Sequence, residues 1–214
     1  LSSGAVKGIG QATAIRIVEK FGDETLTVME KTPARLAEIQ GISPAKAAKI
    51  AEEYAKQFGL REVMLAFAEF GLTPGESFRC WKRWGAATIE RVRANPYILC
   101  GTGLRIPFER ADAISRGILG RQDDDRARIE AGVLYVLRHN LGNGHTCLPA
   151  YRLAETTAGL LGLTAAGVEA VVEGMTAVFA VREESFGERR FVFLNHIHRA
   201  ETAIAARVLG MLRE

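Results

Sequence analysis

The sequence predicts a mainly α fold: tandem turn-and-helix units over residues 1–120, then a small α+β domain with one β-hairpin. Three observations carry this. QGISPAKAAKI, Gln40 to Ile50, sets a small–apolar–small triplet and a proline ahead of an apolar-periodic run, and GIGQATAIRI, Gly8 to Ile17, repeats the pattern. Residues 8–50 also align with the chain 63 positions later: Gly8 falls on Gly71, Phe21-Gly22 on Trp84-Gly85, Thr25-Leu26 on Thr88-Ile89, Pro33 on Pro96 and Leu36 on Leu99. This joint match points to duplication rather than to amphipathic helices aligning by chance. Near the other end, VFAVREES and ERRFVFL read as strands joined around Phe186-Gly187, where glycine suits a hairpin.

In chain order, Leu1 to Val6 reads as the end of a helix. Thr13 to Phe21 is an amphipathic helix broken by Gly22-Asp23, Thr25 to Lys31 is a short helical turn, and Thr32-Pro33 caps the next one. Ala45 to Phe58 reads as the longest helix of the first unit, stopped by Gly59, with Leu60 to Phe70 a further helix that links the units. With one inserted residue, Gly41-Ile42-Ser43-Pro44 falls on Arg105-Ile106-Pro107-Phe108, ahead of ERADAISRGIL. The acidic run Asp123 to Asp125 suits the start of a helix through ARIEAGVLYVLRHN. HTCLP is extended, and PAYRLAETTAGLLG and TAAGVEAVVEGMTAV are helices, the second capped by Thr164. Helix, short strand, helix, helix and hairpin is the order of a winged helix. The expected divisions are therefore a first double-turn unit (1–60), a second, partly degenerate one (61–120), a winged-helix-like domain (121–198), and a closing amphipathic helix (199–214). The chain begins at Leu1 without methionine and reads as a piece of a longer protein.

The turns carry the chemistry. Ser43 can cap the following helix, and Pro44 fits its first turn because the missing N–H costs nothing there. A helix start leaves backbone N–H groups unsatisfied and carries partial positive charge, which makes it a phosphate site. Both copies of this pattern resemble the helix-hairpin-helix motif, a binder of DNA backbone. The candidate phosphate contacts are Lys7, Gly8, Gly10, Thr13 and Arg16 at the first turn, and Gly41, Ser43, Lys46 and Lys49 at the second. Gly71 and Thr73 continue the set at the third, where Glu76 stands in place of Thr13 and Lys46. Ile9, Ile42 and Leu72 are expected to point inward and pin each turn. Phosphate contacts position a protein without reading sequence, so binding is expected to be non-specific and salt-sensitive.

Composition narrows the partners. The net charge is only +3, so attraction to nucleic acid must come from local placement of cations. Arg79, Lys82, Arg83, Arg91 and Arg93 make the second unit the most basic stretch. Three separated cysteines with no C-x-x-C pair read as reduced thiols in a cytoplasmic setting. No apolar run reaches the ~20 residues of a membrane span. His139, His145 and Cys147, and separately His196 and His198, lack a fourth ligand at metal-site spacing. Trp81 and Trp84, three apart, have core spacing. Arg182, Arg189 and Arg190 on the strand pair are interleaved with Glu183, Glu184 and Glu188, as on a solvated face.

LSSGAVKGIGQATAIRIVEKFG, WGAATIERVRANPYIL, RIEAGVLYVLRHNLGNGHTCLP and RFVFLNHIHRAETAIA, in this order, resemble the N-terminal region of RecD-like DNA helicases over nearly the whole chain. The resemblance implies an ATP-driven motor that moves five-prime to three-prime on single-stranded DNA in recombination and repair. This region would grip single-stranded or junction DNA by its phosphate backbone, with helicase motor domains following in cis. Nothing here fits G-x-x-x-x-G-K-[ST], so ATP and Mg are expected only in those motor domains, and no cofactor in this segment. The family's last hairpin usually reads glycine-apolar-glycine-phenylalanine. Arg105-Ile106-Pro107-Phe108 lacks both glycines and is expected to be a distorted, structural turn. Two rival classes remain. A protein–protein interaction scaffold could use the same helical units, and a helix-hairpin-helix glycosylase would need a catalytic Asp after the last hairpin, where Pro149-Ala150-Tyr151 stands.

Overall fold

The computed structural model describes residues 9–212. The elements run α1 (Gln11–Phe21), α2 (Thr25–Lys31), α3 (Pro44–Glu69), α4 (Pro74–Trp84), α5 (Thr88–Ala94), α6 (Phe108–Ala113), α7 (Arg126–Gly142), β1 (Cys147–Pro149), α8 (Ala150–Leu161), α9 (Ala165–Ala177), β2 (Val181–Phe186), β3 (Arg189–Leu194) and α10 (Asn195–Met211). The fold is mainly α with one small antiparallel sheet, as the sequence predicts. The chain divides into two compact units between Arg91 and Val92. Among the described residues no single helix is long and apolar enough to cross a membrane.

The duplication is visible element by element. Helices α1 and α4 both have 11 residues and both end on a glycine of positive φ, Gly22 at 51° and Gly85 at 56°. A 3-10 turn follows each glycine, and then α2 or α5, each opening on a buried threonine. The Thr25 hydroxyl donates to the Gly22 carbonyl at 2.7 Å, and the Thr88 hydroxyl to that of Gly85 at 2.6 Å. A second 3-10 turn starts at Pro33 in one repeat and at Pro96 in the other, each burying a leucine, Leu36 or Leu99, completely. Residues a fixed distance apart thus make the same bonds.

One expected break is absent. Gly59 does not stop a helix: α3 runs unbroken from Pro44 to Glu69. A mid-helix glycine costs about 1 kcal/mol relative to alanine, and here it makes room. A Cβ at Gly59 would lie 2.2 Å from the Trp81 ring of α4, so the indole packs directly over the helix backbone. Trp81, half-buried, thus holds α4 against α3. One helix serves the second turn at its start and the third at its end.

In the first unit a core of Ile9, Ala14, Ile17, Phe21, Val28, Met29, Leu36, Ile39, Ile42, Ala47, Ile50 and Tyr54 packs α1 to α3 together. In the second unit α7, α8 and α9 bury their inner faces against the sheet, whose strand order is β1-β3-β2. Asp125 caps α7 by accepting from the Ala127 N–H, and Thr164 caps α9 through that of Gly167. Strand β3 pairs antiparallel with both neighbours, and Gly187, at φ 63°, turns β2 into it. Residues 199–211 of α10 are exposed.

Candidate nucleic-acid interface

Four turns precede α1, α3, α4 and α6, and their backbones agree closely. The residue that starts each helix is extended: Gly10 at φ −79°, ψ 165°; Ser43 at −73°, 160°; Thr73 at −70°, 157°; Pro107 at −67°, 156°. Each of these four accepts, at its carbonyl, the N–H four residues on, those of Ala14, Ala47, Ser77 and Ala111. The residue before it is buried in every case: Ile9, Ile42, Leu72 and Ile106. Ahead of three of them stands a residue of positive φ, Gly41 at 89°, Gly71 at 68° and Arg105 at 58°.

The fourth turn corrects an expectation. Arg105 adopts the left-handed conformation in place of glycine, so the turn at Arg105 to Phe108 keeps the shape of the others. For an L-residue that conformation costs about 1–2 kcal/mol. The buried Ile106 and Phe108 on the C-terminal side hold the chain there.

The turns differ in what their donors meet. At the first, Gly10 offers no cap side chain, so the Gln11 and Ala12 amides at the exposed start of α1 have no intrahelical acceptor. At the second, the Ser43 hydroxyl accepts the Lys46 N–H at 3.2 Å. At the third, Glu76 folds back: its carboxylate accepts from the Thr73 N–H at 2.8 Å and from the Thr73 hydroxyl at 3.0 Å. This capping box puts a resident anion where a phosphate would sit, and its charge opposes a second one. Helix α6 has only six residues and passes into a π-helical turn at Ile114–Ile118.

Arg16 belongs to a different turn from the one its sequence position implies. Its guanidinium donates to the Gln40 carbonyl at 3.0 Å and lies 3.6 Å from where a Gly41 Cβ would be. Arg16 of α1 therefore stands beside the second turn, and the first two hairpins share it. Lys49 is exposed and Lys46 half-buried on the first turns of α3, and Thr13 is half-buried. Gly10, Gly41, Ser43, Gly71 and Thr73 are exposed. Lys7 and Gly8 lie outside the described residues.

Residues 4–56 match the family model described as a SAM-like helix-hairpin-helix tandem, and residues 56–147 match that of the ATP-dependent RecD2 DNA helicase HHH domain. This is a RecD-like helix-hairpin-helix region. The chain is similar to the ATP-dependent RecD2 DNA helicase of Deinococcus radiodurans, with 27% identity over 218 residues. That match covers 97% of this chain and 30% of the relative, so the chain spans less than a third of that protein's length. The two family models of the RecD-like region meet inside α3, the helix shared by the second and third turns.

A buried polar cluster in this region carried no sequence signal as a group. Arg128, on α7 and 3% exposed, grips Asp112 with Nε to Oδ1 at 2.8 Å and Nη2 to Oδ2 at 3.2 Å. It also donates to the carbonyls of Asp123 and Leu161. The Tyr97 hydroxyl donates to Asp112 at 2.7 Å. Burial pushes the Asp112 carboxyl up, but the Arg128 and Tyr97 hydrogen bonds and the Arg128 charge outweigh it and hold it below its ordinary value. Burial raises the Tyr97 hydroxyl, which stays a protonated donor. Only Tyr97 could have been singled out beforehand, from the NPY segment.

On the β2–β3 pair Arg182 and Arg190 are drawn into ion pairs. Arg190 meets Glu169 at 2.6 Å and Glu183 at 3.7 Å, and Arg182 meets Glu184 at 3.2 Å. His198 lies 3.1 Å from Glu184, and His139 stacks on Tyr135.

Proposed function

We propose that this chain is the non-sequence-specific DNA-positioning region of a RecD-like five-prime-to-three-prime helicase acting in recombination and repair. The first two hairpins grip the phosphate backbone of single-stranded or junction DNA. One observation carries the reading: the Arg16 guanidinium of the first hairpin's helix stands against Gly41 of the second turn, at the start of the helix that bears Lys46 and Lys49. This clusters cations beside a helix start where Pro44 has no N–H, Ser43 takes that of Lys46 and the Ala45 amide is left without an intrahelical acceptor, so the cations supply most of a phosphate's partners there. In the same reading Gly8, Gly10 and Thr13 bring backbone and hydroxyl donors, Lys7 adds a cation, and Gly71 and Thr73 contribute least because Glu76 occupies their turn. The motor domains, with their ATP and Mg, lie elsewhere in the whole protein, which works in the cytoplasm.

The interaction-scaffold reading has one observation in its favour. The fourth hairpin packs into the second unit's own core through Phe108 and Ala111. A hairpin can thus serve as a protein contact.

Fluorescence anisotropy with plain duplex and single-stranded DNA at low salt separates the two. The DNA reading expects binding to unrelated sequences with equal affinity and a steep loss with added salt. No binding at low salt would leave the scaffold reading standing.

A further inference from the structure

Helix α4 occupies the place in the second repeat that α1 occupies in the first, with the same length and the same glycine-closed end. Their outer faces differ. On α4 the exposed residues Phe78, Arg79, Lys82 and Arg83 fall within about 140° of the helix circumference, with Gly75 between the phenylalanine and the first arginine. On α1 the equivalent places hold Ile15, Arg16, Glu19 and Lys20. There Glu19 puts a negative charge beside Arg16 and Lys20, which meet Gln40 and Glu38; on α4 Arg83 lies over the Trp84 ring, 5.9 Å from its centroid, and no acid stands on that face. The acid of α1 has become Lys82 and the aliphatic side chain has become an aromatic. The fold does not require this exchange, since α1 fills the same role without it.

We propose that the outer face of α4 is a second nucleic-acid contact, one that takes single strands: an unpaired base stacks on Phe78 while Arg79, Lys82 and Arg83 hold the phosphates on either side. Phe78 is 48% exposed, leaving a ring face open to stacking. The bare backbone at Gly75 lets a sugar or phosphate come close, because a Cβ there would meet nothing nearer than the Arg79 guanidinium at 3.9 Å. Glu76, the acid of this helix, is turned away and buried in its capping box. Stacking on an aromatic tolerates any base, so the face adds affinity without sequence preference. It also favours single strands, whose bases are unpaired, over duplex. The proposal rests on the DNA-binding reading given above.

The test uses the 214-residue chain and a labelled oligothymidine of about 20 nucleotides, with an abasic strand of equal length beside it. Phe78→Ala is expected to weaken oligothymidine binding by about 5- to 100-fold while leaving abasic binding unchanged, because only stacking is removed. Lys82→Glu is expected to weaken both strands and to lower the salt slope by about 0.7, the value of one single-strand phosphate. Equal loss on both strands from Phe78→Ala, or loss on neither, overturns the stacking face. Displacement of the oligonucleotide by a glutamate oligomer of equal charge as readily as by itself overturns it too, in favour of an acidic protein partner. A Lys46→Glu, Lys49→Glu chain assayed in parallel keeps the two readings apart. If it loses affinity while the α4 variants do not, the α4 proposal falls and the hairpin reading stands; if the parent chain binds no DNA, both fall.

Discussion

Around the second turn, in the first repeat, Ala34, Pro44 and Ala48 lie exposed; the equivalent places around the fourth turn hold Tyr97, Phe108 and Asp112. Tyr97 and Phe108 are buried and stack at 5.8 Å, Phe108 meets Tyr135 of α7, and Asp112 receives Arg128. The backbone of the two turns is the same to within a few degrees at the helix start. Three substitutions have turned one hairpin into part of a protein core and left its twin bare, with Lys46, Lys49 and Arg16 around it. The shape of a hairpin therefore does not decide its use. The side chains two and six positions beyond each turn's apolar pin, and the residue one turn before, decide it.

The largest effect expected from breaking this comparison is on stability. Arg128→Met takes the paired cation from the partly buried Asp112 and should cost about 3 kcal/mol in urea unfolding. Lys49→Met, on the exposed face of the twin hairpin, should change stability by less than about 0.5 kcal/mol. The Asp112 carboxyl is held below its ordinary value in the fold, so its contribution is present above the unfolded value and lost as pH falls through the folded one. The stability gap between the parent and Asp112→Asn should accordingly narrow as pH falls below about 4. A gap that widens would place the ionised carboxylate outside the network.

Gly59→Ala comes next. Its helix propensity gain of about 1 kcal/mol is outweighed by forcing the Trp81 ring away, and a net loss of about 1–2 kcal/mol is expected. In a Trp81→Ala background the same change should become neutral or stabilising, read by thermal melts of the four chains. Smaller still is the exchange at the turns. Arg105→Gly should stabilise by about 1 kcal/mol by relieving the left-handed arginine, whereas Gly41→Val should destabilise by at least as much.

The repeat was legible because it is written in residues whose physics is local. An aromatic-Gly helix end, a Thr that caps its own turn and a Pro that starts the next turn each act on neighbours a few positions away, so matched spacing meant matched structure. The strand pair at Val181–Phe186 and Arg189–Leu194 was legible for the same reason, from alternation and Gly187. Gly59 misled because its role is tertiary: nothing within four residues reveals that an indole from α4 needs the space. Arg105 misled in the opposite sense. Its local preference opposes the conformation it adopts, and burial of Ile106 and Phe108 overrides that preference. The Tyr97–Asp112–Arg128 cluster joins residues 15 to 31 positions apart, beyond the reach of any periodic pattern. The sharing of Arg16 between turns was hidden in the same way, since Gln40 lies 24 residues on.

The central claim is that twin hairpins of one backbone have separate uses, DNA contact at the second turn and core packing at the fourth. Salt-dependent anisotropy with duplex DNA tests it most directly, on the parent, on Lys46→Glu with Lys49→Glu, and on Arg105→Glu. The lysine reversals should weaken binding to all sequences alike and lower the salt slope by about 0.9 for each phosphate no longer neutralised. Arg105→Glu, an exposed charge on the fourth turn, should leave affinity and slope as in the parent. Unchanged binding after the lysine reversals, or an equal loss from Arg105→Glu, would contradict the claim.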